Sequence, residues 1–444
     1  MTTNHAPVES AIDRVGFVRR NFPAEGLFAE KEWLLSPSSF SLGEKLTEQL
    51  EKLGYRLNLF QRACNLLYQL SVKGKQPAWV AAYLDAGKPP ELVALSRELR
   101  LRNEVPRILR PDLVLTEDGF VAAELDSVPG GIGLTAWLNQ TYTALGDDVI
   151  GGADGMLDGF AGIMPDGGAI LVSDEAATYR PEMVWLAAQL NKRAGVEGKW
   201  RVTRTDGSEP VPDAGTAYRF IEHFDLPNNA IAPALLAAAR EGRLTVTPPF
   251  KPYLEEKMWF ALFWMRPLRE FWRREMGERQ WLELQKVIPQ TWIMDPTPLP
   301  HFAVIPGLEV QSWNELGEFS QKQRELILKI SGFSELAWGS RGVDMAADLP
   351  QHEWRAALAR ALARFPKNPV ILQQFHKGRL FDHPYFDPTS GALKTLRGRV
   401  RLCPYYFIGA DGKVSLRGAL ATICPADKKL LHGMKDAIIV PSTP

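Results

Sequence analysis

The sequence predicts a mixed α/β (α+β) fold with a helical N-terminal segment. Two patterns predict it. Apolar residues recur at three- and four-residue spacing before about residue 100, and short apolar strands alternate with helices from Pro106 onward. Gly43–Leu53 and Tyr55–Leu70 read as helices, and Pro77, Pro89 and Pro90 punctuate the stretch between them and the first strand. Arg110–Thr116 is a strand, Glu117-Asp-Gly119 a turn and Phe120–Asp126 a second strand, which is a hairpin pattern. Pro129–Gly133 opens a helix that runs through Thr135 to Thr143. The glycine-rich stretch Gly151–Gly168 is expected as a surface loop. Ala169–Ser173 is a buried strand, Pro181–Asn191 a helix, and Tyr218–Glu222 a further strand. Residues 251 to 290 carry aromatic, Arg and Glu residues at helical spacing. Leu326–Ile330, Val370–Phe375 and Val400–Cys403 are later strands, and Gly409–Gly412 centres a last hairpin. The expected organisation is a helical segment (1–100), an α/β region (101–250) and a C-terminal lobe (251–444).

Composition narrows the function classes. The 444 residues allow two to four structural units, and 45% hydrophobic with 23% charged residues argues against disorder. Lys+Arg and Asp+Glu are both 52, which argues against a broad nucleic-acid-binding surface. Cys64, Cys403 and Cys424 lie far apart without a CxxC, so neither a disulfide scaffold nor a cysteine-rich zinc site is expected. Met1–Ser10 lacks the basic-then-apolar pattern of a signal peptide. The apolar run Met258–Met265 is cut by Arg266 and Pro267, far short of the roughly 20 residues that span a bilayer. The expectation is a cytoplasmic protein without membrane or nucleic-acid partners, its oligomeric state open.

Three segments carry chemistry. Glu124 and Asp126 are two apart on one strand and share a face. Antiparallel pairing brings Asp112 beside them, with Arg110 close by. Converging carboxylates suit Mg²⁺. The alternative is a solvated strand face with Arg110 as salt-bridge partner. Next, Gly131-Ile-Gly-Leu-Thr-Ala136 satisfies the dinucleotide pattern G-x-G-x-x-A. Glu124 and Asp126 before it would repel a pyrophosphate, and a tight helix-starting turn is the plainer reading. Third, Lys329 interrupts an apolar strand, and Gly339-Ser-Arg-Gly-Val343 comes ten residues later. A strand lysine and a glycine turn can cover phosphates. The strand ending Gln373-Gln-Phe-His-Lys-Gly378 can present backbone groups to an adenine edge. Glu255-Glu256-Lys257, by pattern alone, is a surface charge cluster. His223, His301, His376 and His383 show no metal-ligand spacing.

Together these pieces resemble the ATP-grasp superfamily, in particular its circularly permuted, glutathionylspermidine synthase-like branch. Arg110-x-Asp112, the twelve-residue step to Glu124, and Asp126 resemble that branch's R-x-D…E-x-N pattern. Asp126 stands where the branch commonly has Asn. The resemblance covers about residues 105 to 440. It implies ATP and Mg²⁺ as cofactors, with Asp112, Glu124 and Asp126 as metal ligands. It implies Lys257 and Lys329 as nucleotide lysines, and Gly339, Ser340, Arg341 and Gly342 as the loop over the phosphates. Gln373, Gln374 and Phe375 resemble the hinge that reads adenine. Arg399, Arg401 and Arg417 are alternative candidates for the phosphate clamp. Glu222 is similar to a substrate-side Glu.

The activity so implied is ATP-dependent ligation of a small carboxylic acid to an amine through an acyl phosphate. Asp112, Glu124 and Asp126 would hold one or two Mg²⁺, and Lys257, Lys329 and an Arg would neutralise charge. Arg110 would stabilise the acyl-phosphate region or steer the acid, and the 339–343 loop would exclude water. Two other readings stay open: a catalytically weak ATP-grasp scaffold that binds a nucleotide or partner, and a dinucleotide-dependent oxidoreductase.

Overall fold

In the computed structural model, residues 10–23, 27, 32–337, 341–429, 431 and 435–444 are described. A seven-stranded sheet draws on both ends of the chain. Its order is Phe40–Ser41, Ile438–Thr443, Val414–Pro425, Ala392–Ile408, Ile108–Leu115 and Phe120–Asp126, with Leu380–Asp387 also pairing along Ala392–Ile408. Only the Phe40–Ser41 pair is parallel; the other ladders are antiparallel. The expected segments 1–100, 101–250 and 251–444 are therefore interleaved in space. The C-terminal strand Ala392–Ile408 is what the acidic hairpin leans on, through pairs such as Arg401 with Val114.

Helix Glu44–Val72 covers this sheet. Leu50, Leu53, Leu57 and Leu67 are buried in the core that also holds Leu402, Tyr406 and Ile423, and Phe60 packs on Phe263 and Trp272. The two helices expected here are one. Gly54 sits inside it because a Cβ there would stand 2.4 Å from the Tyr406 ring. Close approach to the sheet, and not a turn, explains that glycine. The expected surface loop at 151–168 is also corrected. It contains helix Gly155–Ile163, whose Met156, Leu157 and Phe160 are fully buried. Its glycines admit neighbours: a Cβ on Gly159 would meet the Phe407 ring at 2.5 Å.

A parallel sheet, in the order Trp200–Arg204, Gly168–Val172, Gly215–Phe220 and Leu244–Thr247, has its own core. Parallel pairing requires crossovers, supplied by helices Arg180–Ala194 and Ala232–Glu241. Each has Pro in its first turn and a left-handed glycine, Gly195 or Gly242, at its end. Glu222 lies beyond the strand expected to carry it, which ends at Phe220. The third sheet is antiparallel, in the order Val343–Met345, Leu326–Ile330, Val370–Gln374 and Thr291–Ile293. Residues 251 to 290 are helical as expected, in Met258–Trp264, Arg269–Met276 and Glu278–Gln285. No described helix is long and apolar enough to cross a membrane.

Candidate active site

A cleft of about 980 Å³ opens where the three sheets meet. Its walls carry Arg110, Asp112, Glu124 and Asp126 from the hairpin. Lys329, Gln373, Gln374 and Phe375 come from the third sheet, and Lys257 lies before its helix. Glu222 enters from the parallel sheet, and Arg399 and Arg401 from the long C-terminal strand. Arg341 also lines it and pairs with Glu175 at 3.3 Å. Arg417 and Gly342 are not among the lining residues. The Arg417 carbonyl packs against Gly151 and Gly155, and Gly342 is tucked against the Leu336 carbonyl. Gly339 and Ser340 lie outside the described residues.

The hairpin register sets the acidic end. Arg110 faces Asp126, and Asp112 faces Glu124. The ladder slips after Asp112, so Leu113 faces Ala122 and Ala123 is left over as a bulge. The Lys329 ammonium donates to the freed Ala123 carbonyl at 2.9 Å and to Gln373 Oε1 at 2.8 Å. One buried lysine thus ties the large sheet to the third. Burial pushes the Lys329 ammonium down to about 8 against the pull of Glu124.

The carboxylates do not stand as a bare triad. Arg110 bridges two of them, donating from Nε to Asp112 and from Nη2 to Asp126, each at 3.0 Å. Arg401 meets the other oxygen of Asp112, and the Cys403 thiol donates to the oxygen that Arg110 holds, each at 3.4 Å. Burial would raise the Asp112 carboxyl, but Arg110 and Arg401 outweigh it and hold it below its ordinary value. Glu124 lies 3.5 Å from the Lys257 ammonium. Among the described residues no group of three His, Cys, Asp or Glu side chains is arranged to hold a metal. Asp112, expected as a metal ligand, here accepts from Arg110 and Arg401 with its two oxygens and so anchors both. Glu124 and Asp126 keep 36% and 30% of their side chains accessible. Burial, then the charge of Glu124, pushes the Asp126 carboxyl up to about 6 against Arg110. Added positive charge would relieve that tension. Two carboxylates fit a Mg²⁺ that arrives with phosphates, which completes its shell with substrate oxygens.

Lys257 does not belong to a surface charge cluster. Glu255 is bonded to Arg219 and to His223, and Glu256 to Lys88 and Ser331. Each glutamate joins a different buried network, and the Lys257 ammonium donates to the Ala337 carbonyl at 3.0 Å while lying beside Glu124 of the hairpin. The strand expected as the adenine hinge, Gln373–Phe375, is bonded within the fold. The Gln374 amide donates to the Gln290 carbonyl and the Phe375 amide to the Glu325 carbonyl, both at 2.9 Å. Those amides are spent inside the fold, and Gln373 positions Lys329. The next residues, His376, Lys377 and Gly378, line the cleft.

The glycine pattern after the hairpin is a helix start. Gly131 takes φ 85°, and its amide and that of Leu134 donate to the buried Glu182 carboxylate at 2.7 and 3.0 Å. A negative charge occupies the place where a pyrophosphate would sit. This removes the support for the oxidoreductase reading.

Sequence reasoning missed the Arg219–Glu255–His223 network. A charged residue inside the apolar run Tyr218-Arg-Phe-Ile was the available signal. Arg219 is fully buried there.

No family model and no curated protein matches the chain. Among solved structures it is similar to a glutathione synthetase-like effector from Globodera pallida in its apo form. That match has 11% identity and a TM-score of 0.56, and covers 99% of this chain and 98% of that one. It is also similar to a putative γ-glutamylcysteine synthetase from Methylobacillus flagellatus, with 14% identity, 85% and 86% coverage and a TM-score of 0.39. The fold is thus mixed α/β and similar to that of the glutathione synthetase-like effector.

Proposed function

We propose that this chain is an ATP-dependent ligase joining a small carboxylic acid to an amine through an acyl phosphate, as in the permuted ATP-grasp branch. The observation that carries the reading is the cleft in which Lys257 and Lys329 face the acidic hairpin with Arg110 and Arg401. Phosphoryl transfer needs charge neutralisation and positioning more than a protein nucleophile. Lys257, Lys329 and Arg401 would supply positive charge to the phosphates. Arg399 is bonded to the Gly378 and Ala426 carbonyls, so it braces the cleft, while Arg401 remains the phosphate candidate. Glu124 and Asp126 would hold a Mg²⁺, which when bound supplies charge neutralisation across the phosphates. The backbone of His376–Gly378, beyond the spent Gln374 and Phe375 amides, supports an adenine seat one step further along than the sequence pattern implies.

Titration calorimetry of ATP with and without Mg²⁺ tests this, on the wild type and on a Glu124→Ala/Asp126→Ala variant. ADP release is then screened with amino acids and short peptides as acids and hydroxylamine as nucleophile. Mg²⁺-dependent binding that is lost in the variant, with acid-dependent ADP and hydroxamate, is the expected result. Absence of nucleotide binding by the folded wild type overturns the reading. Binding without turnover for any acid favours the scaffold, the reading that Asp126 in place of Asn motivates.

A further inference from the structure

One wall of the cleft offers hydrogen-bond acceptors without matching donors. Glu222 lines the cleft just past strand Gly215–Phe220. Its carboxyl makes no hydrogen bond or ion pair among the described residues, whereas Asp112, Asp126, Glu124 and Glu255 around it each meet a cation. His223, its neighbour, also lines the cleft and is 3% exposed. Its Nδ1 lies 2.5 Å from Glu255 Oε2. Burial would raise the Glu255 carboxyl, but Arg219 and His223 hold it ionised, so Nδ1 carries the proton and Nε2 a lone pair. That Nε2 is buried and has no partner among the described residues. An unmet buried acceptor such as His223 Nε2 is costly, and together with the half-buried, unpaired Glu222 carboxyl on the same cleft wall it matches a ligand that donates N–H bonds.

We propose that the Glu222–His223 wall seats the attacking amine and that Glu222 removes its proton. The inference rests on the ligase reading and names the base which that reading leaves open. In the step, an N–H proton passes to a Glu222 oxygen as the nitrogen pair forms the C–N bond. The C–O bond to phosphate breaks, its electron pair leaves with the phosphate, and the proton moves on to phosphate or solvent. His223 accepts a second N–H and orients the nitrogen. The charged groups around Glu222 are Glu255 and Asp126, which favour its protonated form, and Arg219 and Lys257, which oppose them. Burial first, then those two carboxylates, bring Glu222 up to about 8, a range where a carboxyl exchanges protons at working pH.

Three readouts on wild type and Glu222→Gln test it. Carboxyl ¹³C resonances of labelled glutamate should include one titrating near 8 that the variant lacks; Glu222 titrating in the ordinary carboxylate range overturns the base. Methylammonium should shift the His223 Nε2 ¹⁵N resonance in the wild type; no shift overturns the wall as the amine seat, whether or not ligation occurs. With ATP, Mg²⁺ and the acid that releases ADP, methylamine is compared with hydroxylamine, which is already largely free base at neutral pH. The variant should lower the methylamine rate about 100-fold more than the hydroxylamine rate, the lower end of general-base effects. Equal losses overturn the base. No ADP release with any acid overturns the ligase reading instead, while the two resonance readouts still judge the wall.

Discussion

Replacing Asp126 by asparagine removes a charge that the fold resists. Its carboxyl rises from 3.8 to about 6, through burial and the neighbouring Glu124, despite Arg110. A carboxyl raised on folding gives stability that is complete below its unfolded value and lost as pH climbs through the folded one. For a shift of this size the native state gives up roughly 3 kcal/mol by about pH 7.5, and well under 1 kcal/mol at about pH 4. Asparagine escapes that loss but keeps one acceptor where aspartate has two. Arg110 donates to one Asp126 oxygen at 3.0 Å and the Val128 amide to the other at 2.8 Å, so one of these bonds goes. That costs about 1–2 kcal/mol. The variant should be about 1–2 kcal/mol more stable than the wild type at pH 7.5 and less stable at pH 4. Urea unfolding at the two pH values reads this directly, as a midpoint that moves up at one and down at the other. A variant less stable at both, by the same margin, would refute the electrostatic account and leave only the lost hydrogen bond.

The packing yields three further outcomes. Arg110→Met strands Asp112 and Asp126 beside each other, and should cost about 3–5 kcal/mol in urea unfolding, with Arg110→Lys losing less. Gly54→Ala drives a methyl into the Tyr406 ring, which its own hydroxyl bond to the Leu50 carbonyl holds in place; about 1–3 kcal/mol of destabilisation is expected in the same assay. All three thiols are buried, and burial pushes Cys403 up to about 12. A disulfide reagent at neutral pH should label none of them until denaturant is added, and rapid labelling of the folded protein would contradict the packing.

The hairpin was legible because its evidence is local. The Asp-Gly turn and alternating pattern of 110–126 fix which residues face which, and the observed register pairs Arg110 with Asp126 and Asp112 with Glu124. The strands at 326–330 and 370–374 and the helices of 251–285 were legible for the same reason. What failed depended on distant partners. Gly54 reads as a helix break until Tyr406, some 350 residues on, comes to lie against it. Residues 151–168 read as a loop because glycine normally marks turns, yet here it admits Phe407 and the Arg417 carbonyl.

The acidic site divides along the same line. That carboxylates gather at one end of a hairpin beside Arg110 comes from sequence spacing, because strand geometry repeats every two residues. Which of them can receive a cation does not. Arg401 and Cys403, nearly 300 positions away, close Asp112, while Lys257 faces Glu124 and leaves it partly open. Charge cancellation acts through space at a few ångströms, and only the folded chain decides which charges meet. The sequence by itself determined most of the elements and the residue types that line the cleft. The tertiary structure decided which of those residues are spent on one another, and left Glu222 and His223 Nε2 without partners among the described residues.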